Sequence, residues 1–365
     1  MSIFKEIALK GHEQVIYCQD KISGLQAIIA IHNTALGPSL GGCRMWPYAS
    51  EEEALYDVLR LSRGMTYKSA VAGLHLGGGK AVIIGDPKTK KSPELFKAFG
   101  RFVQSLSGRY ITAEDVGTSE KDMEYIFEET DYVTGISAKR GGSGNPSPVT
   151  AFGVYRGILA ANKYKTGSDA LSNRVIAVQG TGSVGSHLID YLIKDGARVV
   201  VTDISEESVK RIKDKYAQVE YVSPEEIYDV KCDIFAPCAL GACVNSKTIP
   251  KLKCEIIAGS ANNVLENEDK DIQALGAKGI LYIPDYVISA GGIINVASEL
   301  GDGSQETAWS RTAEIYDTVT KVLQIASEKN MNTVQAANAL AESRISEGPY
   351  AHTMYMGEVS FNRRA

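Results

Sequence analysis

The 365-residue sequence predicts an α/β fold of two domains, the second built on a doubly wound parallel sheet. Three observations predict it. From about residue 149 onward, short apolar runs and helical patterns alternate regularly, as a parallel sheet with crossover helices requires. Within that region R-V-I-A-V-Q-G-T-G-S-V-G supplies a strand and then a glycine turn that opens a helix. Ahead of it, G-G-S-G-N-P-S-P at Gly141–Pro148 interrupts the pattern with residues that favour a hinge or domain boundary over a plain long loop.

The elements follow in order. Gln14–Gln19 and Leu25–His32 are rich in isoleucine and valine and bounded by turn signals, which reads as two strands. Glu51–Met65 places Leu55, Val58, Leu59 and Ser62 at helical spacing, with Ser50 as N-cap and Glu53 as its capping-box partner. K-A-V-I-I-G-D-P from Lys80 reads as a short buried strand closed by a turn, followed by a helix from Pro93 to about Leu106 and a strand at Tyr110–Asp115. In the second half a helix near Val149–Lys163 precedes strands at Arg174–Gln179, Arg198–Asp203, Glu220–Val222, Cys232–Phe235, Cys254–Ala258 and Ile280–Ile283. A helix at Ser186–Lys194 follows the glycine turn, and Glu306–Glu347 reads as two helical segments divided near Asn330.

Composition narrows the function classes. Hydrophobic residues make up 44% and charged residues 23%, and the net charge of −5 gives a nucleic-acid surface no global support. Charges near the start argue against a secretory signal, and no apolar run approaches the ~20 residues of a membrane span. The six cysteines contain no C-x-x-C pair and the five histidines no H-x-x-x-H pair, so neither a disulfide framework nor a metal site is expected. The expectation is a cytoplasmic chain that acts on small molecules, with no membrane or nucleic-acid partner. His75, beside a glycine run, reads as a bystander.

The glycine turn carries the first chemistry. Gly180, Gly182 and Gly185 form G-x-G-x-x-G between a strand and a helix, and Asp203 ends the next strand about 20 residues on. Gly180 permits the turn, Gly182 lets backbone approach a pyrophosphate, and Gly185 lets helix and strand pack closely. The helix N-terminus would face the phosphates, and Asp203 would accept from ribose hydroxyls while repelling a 2′-phosphate, which favours NAD over NADP.

A second glycine run, L-H-L-G-G-G-K at Leu74–Lys80, admits two readings: a phosphate cradle, or a loop that presents one amine to a small substrate. The cradle fails. A P-loop needs a glycine where Leu74 stands and a hydroxyl where Ala81 stands.

With these residues in view the chain resembles the glutamate/leucine/phenylalanine/valine dehydrogenases. L-G-P-S-L-G-G-C-R-M, G-M-T-Y-K, L-H-L-G-G-G-K-A-V-I-I-G-D-P, T-A-E-D-V-G, S-G-N-P-S-P-V-T, A-P-C-A-L-G, A-G-S-A-N-N and P-D-Y-V-I-S-A-G-G recur in family order along essentially the whole chain, nearest to the leucine-using members. The resemblance implies oxidative deamination of an L-amino acid to a 2-oxo acid, reversibly and with NAD. It implies Lys80 as the catalytic residue that activates water, Lys68 as the holder of the substrate carboxylate with Gly41, Gly42 and Met65, and Asp115 as the group exchanging protons with the substrate amine. A lysine base near neutrality calls for burial and a neighbouring cation, for which Lys68 is the candidate. The glycines before Lys80 are expected to leave room for substrate and cofactor.

The resemblance also implies substrate-side positions at Leu40, Ala113, Asn262, Ile293 and Val296. The cofactor positions it implies are Thr150, Gly180, Thr181, Gly182, Ser183, Val184, Gly185, Asp203, Ile204, Ala239, Leu240 and Asn262. Glutamate-using members resemble K-G-G-L-R-F where this chain has L-G-G-C-R-M, so Leu40 replaces their pocket lysine, and a side-chain carboxylate would be buried unpaired. That favours leucine, valine or isoleucine. Ile293 exceeds the valine common in leucine-using members and shifts the pocket toward valine, and Ser289 stands where relatives carry asparagine. G-D-G-S-Q after Leu300 replaces a more aromatic segment, and Gly185 stands where close relatives often carry alanine.

Domains are expected at 1–145 for substrate, completed by the C-terminal helix 331–365, and at 146–330 for NAD. Catalysis is expected in the cleft between them, with closure about Gly141–Pro148 and Gly291–Gly292. The family implies a homo-oligomer, octameric for its leucine-using members, with a dimer open. The rival readings are a phenylalanine or tryptophan dehydrogenase of the same family, and a catalytically silent NAD-binding sensor.

Overall fold

Among the described residues two separate sheets carry the strands, one mixed and one wholly parallel. They belong to a computed structural model that describes residues 3–301, 303–357 and 359–361. Its two compact units divide unevenly in sequence. The first runs to Asn145 and regains Asn295–Thr307 and the chain from Leu340, while the second holds Pro146–Ile294 and Ala308–Ala339.

The first unit contains α1 (Ile3–Lys10), β1 (Gln14–Asp20), β2 (Leu25–Asn33), β3 (Ser39–Trp46), α2 (Glu51–Val71), β4 (Gly77–Ile84), α3 (Pro93–Ser105), β5 (Tyr110–Glu114) and α4 (Glu120–Phe127). Its strand order is β1-β2-β4-β3-β5, with β3 parallel to both β4 and β5 and the β1-β2-β4 side antiparallel. One sheet face buries Leu25, Ile29, Ile31, Cys43, Met45, Ala81 and Ile83 against Phe96 and Phe99 of α3 and Met123 and Ile126 of α4. The other buries Ile28, Ala30 and Val82 against Ala54, Leu55, Val58 and Leu59 of α2. Alternation along a strand therefore puts Lys80 on the same face of β4 as Val82, toward α2.

Strand β3 lies outside the sequence expectations because two glycines interrupt its apolar run; pairing on both edges makes it a strand nonetheless. The expected loop at Gly77–Gly79 is likewise part of β4. Ser50 caps α2 as expected, accepting from Glu53 N at 3.2 Å, but Glu53 returns its carboxylate to Ala49 N at 2.8 Å rather than to the cap residue itself.

The glycines before Lys80 do not leave room for ligands. A methyl on Gly78 would fall on the backbone nitrogen and Oγ1 of Thr66 in α2, one on Gly77 would fall on Asn33 O, and one on Gly79 would lie 2.7 Å from the Tyr110 ring. They are small because the protein itself approaches there, which corrects the sequence expectation. Thr66 is held in turn by a buried histidine pair. His32 Nε2 donates to Lys10 O at 3.2 Å, leaving Nδ1 to accept from Thr66 Oγ1 at 2.7 Å. His12 Nε2 donates to Leu59 O at 3.1 Å, and the two rings meet edge to face with centroids 4.8 Å apart. Burial pushes His12 down to about 4 and His32 down to about 3.

The second unit begins with α5 (Ser147–Thr166) and continues through β6 (Val175–Gln179), α6 (Ser183–Lys194), β7 (Arg198–Thr202), α7 (Glu206–Lys215), β8 (Glu220–Tyr221), β9 (Ile234–Pro237) and β10 (Ile256–Ile257). Then come α8 (Glu268–Ala277), β11 (Leu281–Tyr282), α9 (Asp285–Ile288) and α10 (Gly291–Ala297). All strand pairs are parallel, in the order β11-β10-β9-β6-β7-β8, which places the reversal of winding between β6 and β9. Strands β8, β10 and β11 are shorter than their apolar runs, since the ladder spans only two residues at each. The C-terminal stretch forms three helices rather than two: α11 (Gln305–Ala313), α12 (Ile315–Glu328) and α13 (Thr333–Ser346). Among the described residues no helix is long and apolar enough to cross a membrane.

Two outcomes test this account. Gly78→Ala, forced onto Thr66, should destabilise the first unit by ~1–3 kcal/mol, whereas Gly64→Ala on open α2 surface should stabilise by ~0.5–1 kcal/mol; thermal unfolding distinguishes them. Both histidines have folded-state values depressed below the ordinary 6.5. The unfolded chain then binds more protons below that pH, so stability should fall as pH drops from ~6.5 toward ~3, and less steeply in a His32→Asn variant, read as the pH dependence of the thermal midpoint.

Candidate active site

The centre of the first sheet is where its strands stand closest. A methyl on Gly41 of β3 would fall on Gly79 O of β4, and one on Gly42 would lie 2.5 Å from Glu114 O and 2.8 Å from Asp115 Cβ. Gly41 thus lets β4 approach β3, and Gly42 lets the turn after β5 lean over β3. That turn is tied down: Met45 N donates to Val116 O and Thr118 Oγ1 to Cys43 O, each at 2.9 Å. Asp115 consequently reaches across β3 to Lys80, with Oδ1 3.0 Å from Nζ.

Lys80 is 5% exposed and the Asp115 side chain 21%. Burial alone would raise the Asp115 carboxyl, but the charges and hydrogen bonds of Lys80 and Arg44 outweigh it and hold the group below the usual carboxylate range. Asp115 is thus an anion held between two cations, and the charged partner the structure shows at Lys80 is a carboxylate. A lysine and an aspartate sharing one contact can pass a proton between them or to a third group at the same place.

The other first-unit positions named from sequence lie on its central strands, on α2 and at the end of α10. Leu40 is fully buried and registers with Gly78, and Ala113 is buried and registers with Gly42. Met65 lies on α2 with its Cγ 3.3 Å from where a Gly41 methyl would point, and half-buried Lys68 follows one turn later on the same helix. Val296 is half-buried in the part of α10 that belongs to this unit. Ile293, buried, and Asn262, exposed, lie in the second unit. Sequence reasoning left Arg44 without a role; the signal was an arginine inside a glycine-rich strand, and the structure joins it to Asp115 with Nε donating to Oδ2 at 3.0 Å.

In the second unit, the ends of β6 and β9 meet at the glycine turn. Gly180 has φ +104°, and a methyl there would lie 2.9 Å from Ala239 Cβ. One on Gly185 would fall on Gly180 O, so α6 packs directly on the strand end. A methyl on Gly182 would meet nothing within 4 Å. Gly182 therefore borders open space at the N-terminus of α6, where no side chain caps the backbone N–H groups of Ser183, Val184 and Gly185. That suits an anionic ligand. Asp203 Oδ2 accepts from Thr181 N at 2.7 Å and Oδ1 from Ser205 N at 2.8 Å. Burial alone would raise its carboxyl, yet these donors hold it low. Ile204, next in sequence, is 89% exposed and Leu240, after Ala239, 79% exposed, each a bare aliphatic side chain. Thr150 sits on α5 with Oγ1 3.1 Å from where a Gly292 methyl would point, so Gly292 keeps that hydroxyl accessible.

A wholly parallel, doubly wound sheet with this turn is the architecture of dinucleotide-binding domains, and the first unit adds a buried lysine–aspartate pair able to exchange protons. The chain belongs to the glutamate/leucine/phenylalanine/valine dehydrogenases: residues 11–132 match the family's dimerisation domain and residues 201–351 its glutamate/leucine/phenylalanine/valine dehydrogenase domain. It is 57% identical to leucine dehydrogenase of Geobacillus stearothermophilus, with 94% of each chain covered. Identity to phenylalanine dehydrogenase of Caldalkalibacillus thermarum is 49%, covering 92% of each. The crystal structure of L-tryptophan dehydrogenase from Nostoc punctiforme superposes with a TM-score of 0.85 at 47% identity, covering 95% of this chain and 99% of that one.

Because the Gly182 methyl position is open in the protein alone, Gly182→Ala should leave the thermal midpoint unchanged while weakening dinucleotide binding by ~1–3 kcal/mol, about 5- to 150-fold in Kd. Gly185→Ala should instead lower the midpoint itself. Calorimetric titration beside thermal unfolding checks both.

Proposed function

We propose that the chain catalyses the reversible, NAD-dependent oxidative deamination of a branched aliphatic L-amino acid, leucine foremost with valine and isoleucine, to the 2-oxo acid and ammonia. One observation carries the proposal: a buried Lys80–Asp115 pair beside the buried aliphatic Leu40, in a chain more identical to a leucine dehydrogenase than to phenylalanine- or tryptophan-using relatives. A substrate carboxyl or aromatic side chain would need a cation or more space at these positions; Leu40 offers no charge, and Ala113 and Ile293 are aliphatic and buried.

The roles are those the family resemblance implies. Lys68, with Gly41, Gly42 and Met65, holds the substrate carboxylate. Asp115, kept ionised, takes a proton from the substrate amine, and Lys80 orients and activates the water that adds to the imine carbon. The dinucleotide, when bound, supplies the hydride acceptor. The second unit binds it through the open N-terminus of α6, with Thr150 and Asn262 at the nicotinamide end and Asp203 at the adenosine ribose. An aspartate held ionised at that position favours NAD over NADP by charge repulsion of a 2′-phosphate. The match of residues 11–132 to a domain named for dimerisation supports self-association of the chain.

NADH absorbance on mixing the protein with NAD and single amino acids tests the reading. Leucine should give the highest kcat/KM, with glutamate, phenylalanine and tryptophan well below. A preference for an aromatic substrate would move the chain to the other branch of the family, and cofactor binding without turnover of any amino acid would make it a sensor. Lys80→Ala should reduce kcat/KM by ~10²–10⁴-fold with dinucleotide affinity retained.

A further inference from the structure

Beyond the two groups that face the substrate, the first unit contains a chain of charges that ends on Asp115. Arg44 points from β3 toward α2 and spans two carboxylates: its Nε donates to Asp115 Oδ2 at 3.0 Å and its other guanidinium arm to Asp57 Oδ2 at 2.9 Å. Asp57, on the second turn of α2, also accepts from Tyr48 Oη at 2.7 Å and from Arg60 at 3.2 Å. Both Arg44 and Asp57 are largely buried, with side chains 20% and 15% exposed. A guanidinium is flat and fixed in its donor directions, so an arginine gripped on one side presents its other donor in a set orientation. Asp115 itself lies past the end of β5 on a turn, with no strand pairing of its own. Its two oxygens are divided, one to Lys80 and one to Arg44.

We propose that Arg44, gripped by Asp57 and Tyr48, is the positioning residue of the deaminating site, occupying one oxygen of Asp115 so that the other faces Lys80 and the substrate amine. The inference rests on the functional reading above. Arg44 touches no reacting atom. It acts by fixing the rotation of the Asp115 carboxylate and by supplying positive charge that keeps it ionised. Around Asp115, burial pushes up the Cys43 thiol, the Tyr48 and Tyr110 phenols and the Glu114 carboxyl, and the Asp115 charge pushes them further the same way. The cations that hold Asp115 ionised are therefore Lys80 and Arg44.

The charge predicts a signature that packing alone would not. Removing a cation favours the protonated form of every neighbouring group, so Arg44→Gln should move the acid limb of the kcat/KM–pH profile to higher pH. Asp57→Asn removes an anion and frees the guanidinium, so it should lower kcat without moving that limb upward. For Arg44→Gln, kcat should fall ~10²-fold through misplacement of the carboxylate, while Kd for NADH stays that of the unsubstituted chain. Arg44→Lys, which restores charge without the fork, should return the acid limb toward its original position with kcat still depressed.

The measurements are kcat, KM and NADH affinity of each variant across pH with leucine as substrate. A folded Arg44→Gln protein with unaltered kcat and unaltered acid limb overturns the proposal, as does a loss of kcat with no limb shift, which would mark Arg44 as packing only. If Arg44→Gln does not fold, Asp57→Asn decides: reduced kcat at unchanged NADH affinity supports the proposal and unchanged kcat overturns it. Absence of amino-acid turnover in the unsubstituted chain would overturn the functional reading itself and this inference with it, whereas full turnover in every variant overturns the inference alone.

Discussion

The ion pair between Lys80 and Asp115 depends on a strand that has no side chains where it crosses. Parallel strands stand ~4.8 Å apart, and two strands with a third between them are too far separated for ordinary side chains at neighbouring positions to meet directly. Here β3 lies between β4 and β5, yet Nζ of Lys80 comes within 3.0 Å of Asp115 because Gly41 lets β4 press close and Gly42 lets the chain after β5 lean inward. Any larger residue at either position would strike Gly79 O or Asp115 itself. The remaining geometry of the first unit is arranged around keeping this crossing close: Thr118 and Val116 tie the turn to β3, and Gly77–Gly79 seat β4 against α2 and Tyr110.

Burying a lysine and an aspartate costs solvation that their mutual attraction recovers only with good geometry and further hydrogen bonds. The first unit supplies those from the α2 side. Arg44 takes the second oxygen of Asp115, and Asp57 and Tyr48 take the rest of Arg44, so the charges alternate in sign from the sheet to the helix. The neutral histidine pair works on the same helix by different means. It carries no charge into the interior and fixes Thr66 against the glycine run through hydrogen bonds alone. One helix thus anchors both flanks of the central strands, by ionic contacts near its start and by neutral ones further along.

The second unit solves a simpler problem. Its three fingerprint glycines have three different surroundings: Gly180 is demanded by backbone conformation, Gly185 by close packing, and Gly182 by neither. A glycine that the protein does not need for its own fold, at an uncapped helix start, is the one a bound phosphate requires. Asp203 is shared between the two tasks, since its oxygens hold Thr181 and Ser205 in place beside the open space.

Local chemistry was enough to recognise much of this. The strand–G-T-G-S-V-G–helix run, the Ser50 cap of α2, the β-branched edges of β1 and β2 and the alternation that builds the parallel sheet all depend on residues near one another in the chain, and the amphipathic spacing that forms them is written there. The family resemblance likewise marked Lys80, Lys68 and Asp115 before any fold was described. What the sequence could not contain was strand order. Only the placement of β3 between β4 and β5 shows that Gly41 makes room for Gly79 and Gly42 for Asp115, that Gly77–Gly79 accommodate Thr66, Asn33 and Tyr110 rather than a ligand, and that Arg44 and Asp57 join the Asp115 network. Those relations join residues far apart in sequence through close approach in space, and no periodicity along the chain records them.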